Sequence, residues 1–312
     1  MNLIFGAFAV LEGYREGEQP NRGADSYYRC IVVSLASAKQ QNPDCTVALV
    51  TNAPVPAPFD GQLAAAGVQV WRCPFEGWKF GADTPWALAF YKLCAMDWVL
   101  RQQPFDNLCM MDVDTFTQRP FTDLWREAAE AVLLYQVPHA ASQSMTAAIS
   151  ANYDKLEPDS APHVLTHFGG ELVAGSRQRL MDFIALCRDI YEEMRAAGLT
   201  PQEGDEAIWC AAAYRSLRAG QPVRAANAYL FRYWLGGRFY YVSTNYCLDP
   251  VCILHLPGAA KDRQFRLIYR YYTRHGTLPT PGTVHKWCGF PKPRPPILRT
   301  LWVRAASKII RN

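Results

Sequence analysis

Leu108-Cys109-Met110-Met111-Asp112-Val113-Asp114-Thr115 is the stretch on which the fold turns. Four apolar residues run directly into two aspartates one residue apart. The apolar run reads as a buried strand and the aspartates as its solvent-facing carboxyl end. In an extended chain residues i and i+2 point to one side, so Asp112 and Asp114 are expected to converge. Two convergent carboxylates repel each other unless a cation lies between them, and their hard oxygen atoms suit Mg²⁺ or Mn²⁺. A bare Asp-x-Asp is also compatible with a polar turn, so the rest of the chain has to decide.

Upstream, Leu3 to Val10 reads as a strand, followed by a polar loop from Glu12 to Asp25. Ser26 to Gln41 has helical spacing, with Tyr27, Ile31, Leu35 and Ala38 on one face. Thr46 to Asn52 and Val68 to Trp71 read as the next strands, with a short helix over 60–66 between them. Trp86 to Arg101 is predicted as a helix leading into the aspartate strand. Strands alternating with helices make a mostly parallel sheet covered on its faces. Ligands bind such sheets at the strands' carboxyl ends, where Asn52 and the aspartates fall.

Downstream come a turn-to-helix at Arg119–Trp125 and an apolar strand at Ala131–Gln136. A glycine-bearing strand follows over 167–175, and its glycines are expected to let the backbone approach a ligand. A helix is predicted from Arg177 to Ala197. Thr200-Pro201-Gln202-Glu203 has the spacing of a capping box, and Asp205-Glu206 precedes an apolar helix over Ala207–Leu217. Phe239–Val242 and Cys252–Leu256 are expected to be strands.

Half of the 312 residues are hydrophobic and 19% are charged, which excludes a disordered chain. The 10 cysteines are scattered without a Cys-x-x-Cys pair, so reduced buried thiols and a cytoplasmic setting are expected, not disulfides or a zinc site. Met1 to Phe5 lacks a basic n-region and cleavage site and is expected to be a strand, not a signal peptide. No apolar run approaches the roughly 20 residues that span a bilayer. Charge is unevenly spread. Lys261 to Asn312 carries twelve Lys/Arg against Asp262 alone, whereas the residues before it hold 20 basic and 27 acidic side chains. Such a basic end calls for an anionic partner.

The motifs resemble glycosyltransferase family 8, the retaining GT-A enzymes of the glycogenin and lipopolysaccharide galactosyltransferase type. Lys92-Leu93 precedes the strand, and Met111-Asp112-Val113-Asp114 stands for the family's Leu-Asp-x-Asp. Asp123-Leu124-Trp125 stands for its Asp-Leu-Phe. Gly169-Gly170-Glu171-Leu172 occupies the place of Asn-x-Gly-Val, without the Asn. Asp205-Glu206 replaces Asp-Gln, and His255-Leu256-Pro257-Gly258-Ala259-Ala260-Lys261 matches His-Phe-x-Gly-x-x-Lys.

The resemblance implies an α/β, GT-A (Rossmann-like) fold, with a mixed but mostly parallel sheet flanked by helices. It implies a glycosyltransferase domain over 1–262 and a basic C-terminal extension over 263–312. It further implies a metal-dependent hexosyltransferase that moves sugar from a UDP-linked donor to a glycan, lipid-linked or protein acceptor. Asp112, Asp114 and His255 would hold Mn²⁺ or Mg²⁺, with His255 supplying the nitrogen ligand. Ala7, Phe8, Asn52, Lys92, Val113, Gly169, Gly170, Gly258 and Lys261 would bind the donor. Among these, Gly258 and Lys261 would meet the diphosphate, Ala7, Phe8 and Asn52 the base, and Lys92 the donor or an aspartate. Asp205 would bind sugar hydroxyls and Glu206 would lie near the anomeric carbon. With no residue assignable as a carboxylate nucleophile, the implied route is front-face, the leaving diphosphate helping to deprotonate the acceptor.

Two other readings stay open. Asp112-Val113-Asp114-Thr115 also resembles the Asp-x-Asp-x-Thr of haloacid-dehalogenase-type phosphatases, with Asp112 as nucleophile and Asp114 as acid. That motif usually follows a first strand, and here three strands precede it. The chain could also be a non-catalytic sugar-nucleotide binder that keeps the fold.

At the C-terminus, Pro-rich 291–296 reads as a stiff linker. Residues 297–311 place Ile297, Leu298, Leu301, Trp302, Ala305, Ile309 and Ile310 on one helical face, with basic residues off it. That pattern is expected to lie peripherally on an anionic membrane, at its cytoplasmic face, or to dock on the protein itself. No nucleic-acid-binding motif accompanies the charge.

Overall fold

The computed structural model describes residues 1–11, 24–81, 84–138, 143–233, 251–258, 260–288 and 301. Three expectations therefore lie outside the described residues: the polar loop over 12–23, the strand at Phe239–Val242, and the linker and helix over 291–311 apart from Leu301.

Seven strands form the main sheet. They are β1 (Asn2–Phe8), β2 (Thr46–Thr51), β3 (Gln69–Arg72), β4 (Asn107–Met111), β6 (Val132–Gln136), β7 (Phe168–Ser176) and β8 (Val223–Ala225), in the order β3-β2-β1-β4-β7-β6-β8. β1 pairs in parallel with both β2 and β4, with Ile4 opposite Val47 and Cys109. Only β7 runs antiparallel to its neighbours, placing Met111 opposite Leu172. The order 3-2-1-4 reverses direction between β1 and β4, so their carboxyl ends flank a crevice with no connection crossing it.

The period-2 alternation of the strands divides the core. Leu3, Phe5, Ala48, Val50, Leu108 and Met110 face one layer, built with α3 (Tyr91–Gln102), α5 (Ser144–Leu156), α6 (Arg177–Ala196) and α7 (Glu206–Arg218). Ile4, Val47, Leu49, Cys109 and Met111 face the other, built with α1 (Ala24–Gln41), α2 (Phe59–Ala65) and α4 (Thr122–Ala128). Residues that are apolar on both faces explain why these strands read as continuous apolar runs.

A second, three-stranded sheet has the order β5-β10-β9, from β5 (Thr115–Thr117), β9 (Leu230–Arg232) and β10 (Ile253–His255). Its Phe116 and Leu254 join Cys30 and Val33 of α1 in a third apolar cluster. Phe265 and Ile268 of α8 (Ala260–His275) and Val284 of α9 (Pro281–Cys288) complete it. Thus α8 runs unbroken across residue 262 and packs on α1.

Two local expectations change. α3 begins at Tyr91, because Trp86 sits at φ 57°, a left-handed conformation that cannot start a right-handed helix. The capping box does not form: Asp205 precedes α7 without a side-chain cap bond, and Glu203 accepts from Asn152 Nδ2 at 3.4 Å. The thiols follow the expectation, since every described cysteine is free and buried.

Candidate active site

Asp112 leaves the end of β4 with its N–H donating to the carbonyl of Glu171 on β7, 2.9 Å. The chain then turns. The Thr115 hydroxyl donates back to the Asp112 carbonyl at 2.8 Å and lies 2.7 Å from the Ser34 hydroxyl of α1. The aspartates thus converge through this turn and not through an extended i, i+2 geometry, which corrects the sequence expectation. Between them Val113 presses on β1, where a Cβ at Gly6 would stand 2.6 Å from its Cγ1. Glycine at position 6 is what allows the turn to seat over the crevice.

His255 arrives from the second sheet. β10 pairs with β5 so that His255 lies opposite Thr115, and the Leu256 N–H donates to the Asp114 carbonyl at 3.0 Å. His255 Nε2 lies 3.1 Å from Asp114 Oδ1 and 3.6 Å from Asp112 Oδ2, and one ligand atom from each of the three lies within 4.8 Å of the others. Adjacent ligands at about 2.1 Å from an octahedral ion are about 3 Å apart, so this donor set fits a hard divalent cation. His255 Nδ1 is buried with no hydrogen-bond partner among the described residues.

Two lysines flank the carboxylates. Lys261, in the first turn of α8, lies 3.1 Å from Asp114 Oδ2 and over the Tyr27 ring. It is brought there by Gly258, whose φ of 63° favours glycine. Lys92 of α3 lies 3.1 Å from Asp112 Oδ1 and 3.5 Å from Asp205 Oδ2, and donates to the Gly170 carbonyl at 3.3 Å. Burial works against both charges on the metal side. It would raise the Asp114 carboxyl, but Lys261 and His255 hold it well below the usual range. It would lower the Lys92 ammonium, yet Asp112, Asp205 and Glu171 hold it above its ordinary value.

The second group of acids begins at Asp205, whose Oδ2 accepts from Trp209 Nε1 at 2.8 Å. Burial pushes its carboxyl up to about 6; Lys92 opposes this and Glu206 adds to it. Glu206 lies 2.5 Å from His167 Nε2, and His167 Nδ1 lies 3.2 Å from Thr146 Oγ1. Burial would raise Glu206, but the hydrogen bond and charge of His167 keep it below the usual range. Glu171 is buried inside β7 and pairs with Arg232 Nη1 at 2.8 Å. Burial raises its carboxyl despite that partner.

The glycines of β7 do not open onto free space. A Cβ at Gly169 would meet Glu171 Oε2 at 1.8 Å, and one at Gly170 would meet Asp205 Oδ2 at 2.5 Å and Lys92 Nζ at 2.9 Å. They make room for the protein's own charged side chains, a correction to the expected backbone approach. Asn52 likewise bonds to the protein's own backbone. It accepts from the Val10 N–H and donates to the Val10 carbonyl, both at 2.8 Å, so its amide anchors the chain after β1. Phe8 stacks on Tyr27 at 5.8 Å beside Lys261, and Ala7 packs against the core at the crevice.

Motif reading missed Glu171, Arg232, His167, Thr146 and Trp209. One signal was present: Glu171 is a lone charge in the apolar run 168–175, and a charge in a buried strand needs a partner.

No family model matches the chain, and no curated protein matches its sequence. Solved structures do match. One is an active-site Gln-to-Glu variant of LgtC, similar with a TM-score of 0.57 over 92% of this chain and 100% of that one, at 14% identity. The fold is the GT-A fold. At that identity the likeness concerns architecture alone, and it agrees with a seven-stranded, mostly parallel GT-A sheet covered by helices on both faces.

Proposed function

We propose that this protein is a metal-dependent, retaining glycosyltransferase that moves a hexosyl group from a UDP-linked sugar to a glycan, lipid-linked or protein acceptor. The observation that carries this reading is the convergence of Asp112, Asp114 and His255 at the reversal point of a GT-A sheet. Five carboxylates (Asp112, Asp114, Glu171, Asp205, Glu206) gather with three permanent cations (Lys92, Lys261, Arg232). A divalent cation balances that excess. When bound, Mn²⁺ or Mg²⁺ would neutralise the charge that grows on a departing diphosphate.

The side chains support distinct tasks. Lys261 presents a charge beside the metal ligands for the diphosphate, and the Val113 turn at the β1 end offers a floor for the base. Lys92, clamped between Asp112 and Asp205, orients these acids. Asp205, next to Trp209 Nε1 and Lys92, suits hydrogen bonding to sugar hydroxyls. Glu206 brings a carboxylate where the family resemblance has an amide. The same kind of exchange, Gln to Glu in an active site, is carried by the LgtC variant. A front-face route, in which the leaving diphosphate assists deprotonation of the acceptor, needs no further residue.

A phosphatase would need Asp114 to donate a proton, but Lys261 and His255 hold that group ionised. The exposed arginines 263, 266, 270 and 274 of α8 support contact with an anionic, membrane-borne acceptor. No described helix is long and apolar enough to cross a membrane.

The test is a thermal-shift panel of nucleotide sugars with and without Mn²⁺, on the parent and on Asp114→Ala. Metal-dependent stabilisation by one UDP-sugar, lost in the variant, is the expected result. No response to any nucleotide sugar would overturn the reading. Donor binding without hydrolysis or transfer would make the protein a binder instead.

A further inference from the structure

Glu206 opens α7 at the edge of the acid cluster, its side chain 18% exposed, while the ring of His167 behind it is 1% exposed. An ionised carboxylate only accepts hydrogen bonds, so the 2.5 Å contact assigns a proton to His167 Nε2. The other ring nitrogen is met by the hydroxyl of Thr146 in the first turn of α5, at 3.2 Å. His167 itself is pinned at the entrance of β7, where its carbonyl accepts from the Val137 N–H at 2.9 Å. The relay therefore joins three elements: α5, β7 and α7.

We propose that His167 is a positioning residue, which with Thr146 holds the Glu206 carboxylate in one orientation with one edge turned toward the donor sugar. This rests on the glycosyltransferase reading above and adds to it a residue outside every motif of the resemblance. An amide at position 206 would satisfy itself with ordinary hydrogen bonds. A carboxylate that is largely removed from water, beside Asp205 and Glu171, needs a donor at its back. His167 supplies it, in keeping with a Glu206 carboxyl held below its usual range. The free edge of Glu206 then presents fixed negative charge where positive charge develops at an anomeric carbon. Such preorganisation acts on the transition state more than on donor binding.

The experiment uses the full chain and the variants His167→Leu, His167→Gln, Glu206→Gln and the His167→Leu/Glu206→Gln double. Donor turnover is measured with Mn²⁺ and the UDP-sugar identified by the thermal-shift panel. His167→Leu is expected to lower kcat by about 10²-fold with donor KM changed less than about threefold. His167→Gln, which keeps an N–H donor, should recover at least about tenfold of that loss, and the double variant should be no slower than Glu206→Gln alone.

Thermal melting reads the pairing without any donor. His167→Leu strands a buried carboxylate and is expected to lower Tm by roughly 5–10 °C, with Glu206→Gln recovering about half in the double variant. Parental kcat in His167→Leu, or multiplicative losses in the double variant, would overturn the proposal. Coupling in Tm without coupling in kcat would also overturn it, leaving His167 a structural role alone. A parent that turns over no nucleotide sugar marks failure of the functional reading, whereas additive Tm losses mark failure of the pairing.

Discussion

The two halves of the cluster use the same residue types in opposite ways. On the metal side, Asp114 is buried yet held well below the usual carboxylate range by Lys261 and His255. On the other side, Asp205 is equally buried but shares Lys92 with Asp112 and has Glu206 as a neighbour, and its carboxyl rises to about 6. Burial alone raises both. The number of cations per carboxylate decides the sign. Asp114 stays anionic within a donor set that fits a cation, whereas Asp205 can hold a proton and exchange hydrogen bonds with hydroxyl groups.

The largest effect should come from breaking the metal side. Asp114→Ala is expected to lower kcat/KM by about 10³-fold and to abolish Mn²⁺-dependent stabilisation by the donor, as read by calorimetric titration with Mn²⁺ and the nucleotide sugar. Parental Mn²⁺ affinity in that variant would remove Asp114 from the ligand set.

Asp205→Asn sharpens the contrast, with an expected loss of about 10²-fold in kcat. Its stability should carry a pH signature. The raised carboxyl binds its proton more tightly folded than unfolded, so its contribution to stability is fully present below about pH 4. That contribution is lost as pH rises through about 6. For a carboxyl raised from about 4 to about 6, the contribution amounts to about 2–3 kcal/mol. The Tm of Asp205→Asn relative to the parent should therefore climb between pH 4 and 7 in scanning calorimetry, measured without metal. A flat difference would mean that Asp205 is not perturbed.

Gly170→Ala tests whether the glycine serves packing. The added methyl would strike the Asp205 carboxylate and stand 3.1 Å from Trp209 Nε1. A loss of about 1–3 kcal/mol in chemical denaturation is expected, with kcat falling together with stability. The smallest effect belongs to Asn52→Ala. It removes two bonds to the Val10 backbone, and the expected cost is about 1–2 kcal/mol with only a few-fold change in donor KM. A KM increase of about 10²-fold or more would instead make Asn52 a direct donor contact.

Much of the scaffold could be read along the chain because its signals are local. The apolar runs of β1, β2, β4, β6 and β7 announce strands buried on both faces, and the Asp-x-Asp step marks where the sheet meets solvent. The three-residue strands β5 and β9 carry no such signal. Each is too short to show a period, and each exists only because β10 lies between them. The 1–262 and 263–312 division follows the extent of the motifs and the charge, neither of which registers the apolar face that seats α8 on α1. Gly169 and Gly170 look open along the chain because a glycine in sequence shows only the missing side chain, not what fills its place.

By itself, the sequence determined the sheet's alternation and the position of its open edge at Asp112 and Asp114, since hydrophobic period is a property of neighbouring residues, whereas His255 entered only through the resemblance. Only the tertiary structure decided which carboxylates stay charged. That depends on Lys92, His167 and Lys261, which reach Asp205, Glu206 and Asp114 from 39 to 147 positions away in the chain. The charge of a buried group is set by whatever packs against it in space, and sequence distance carries no record of that.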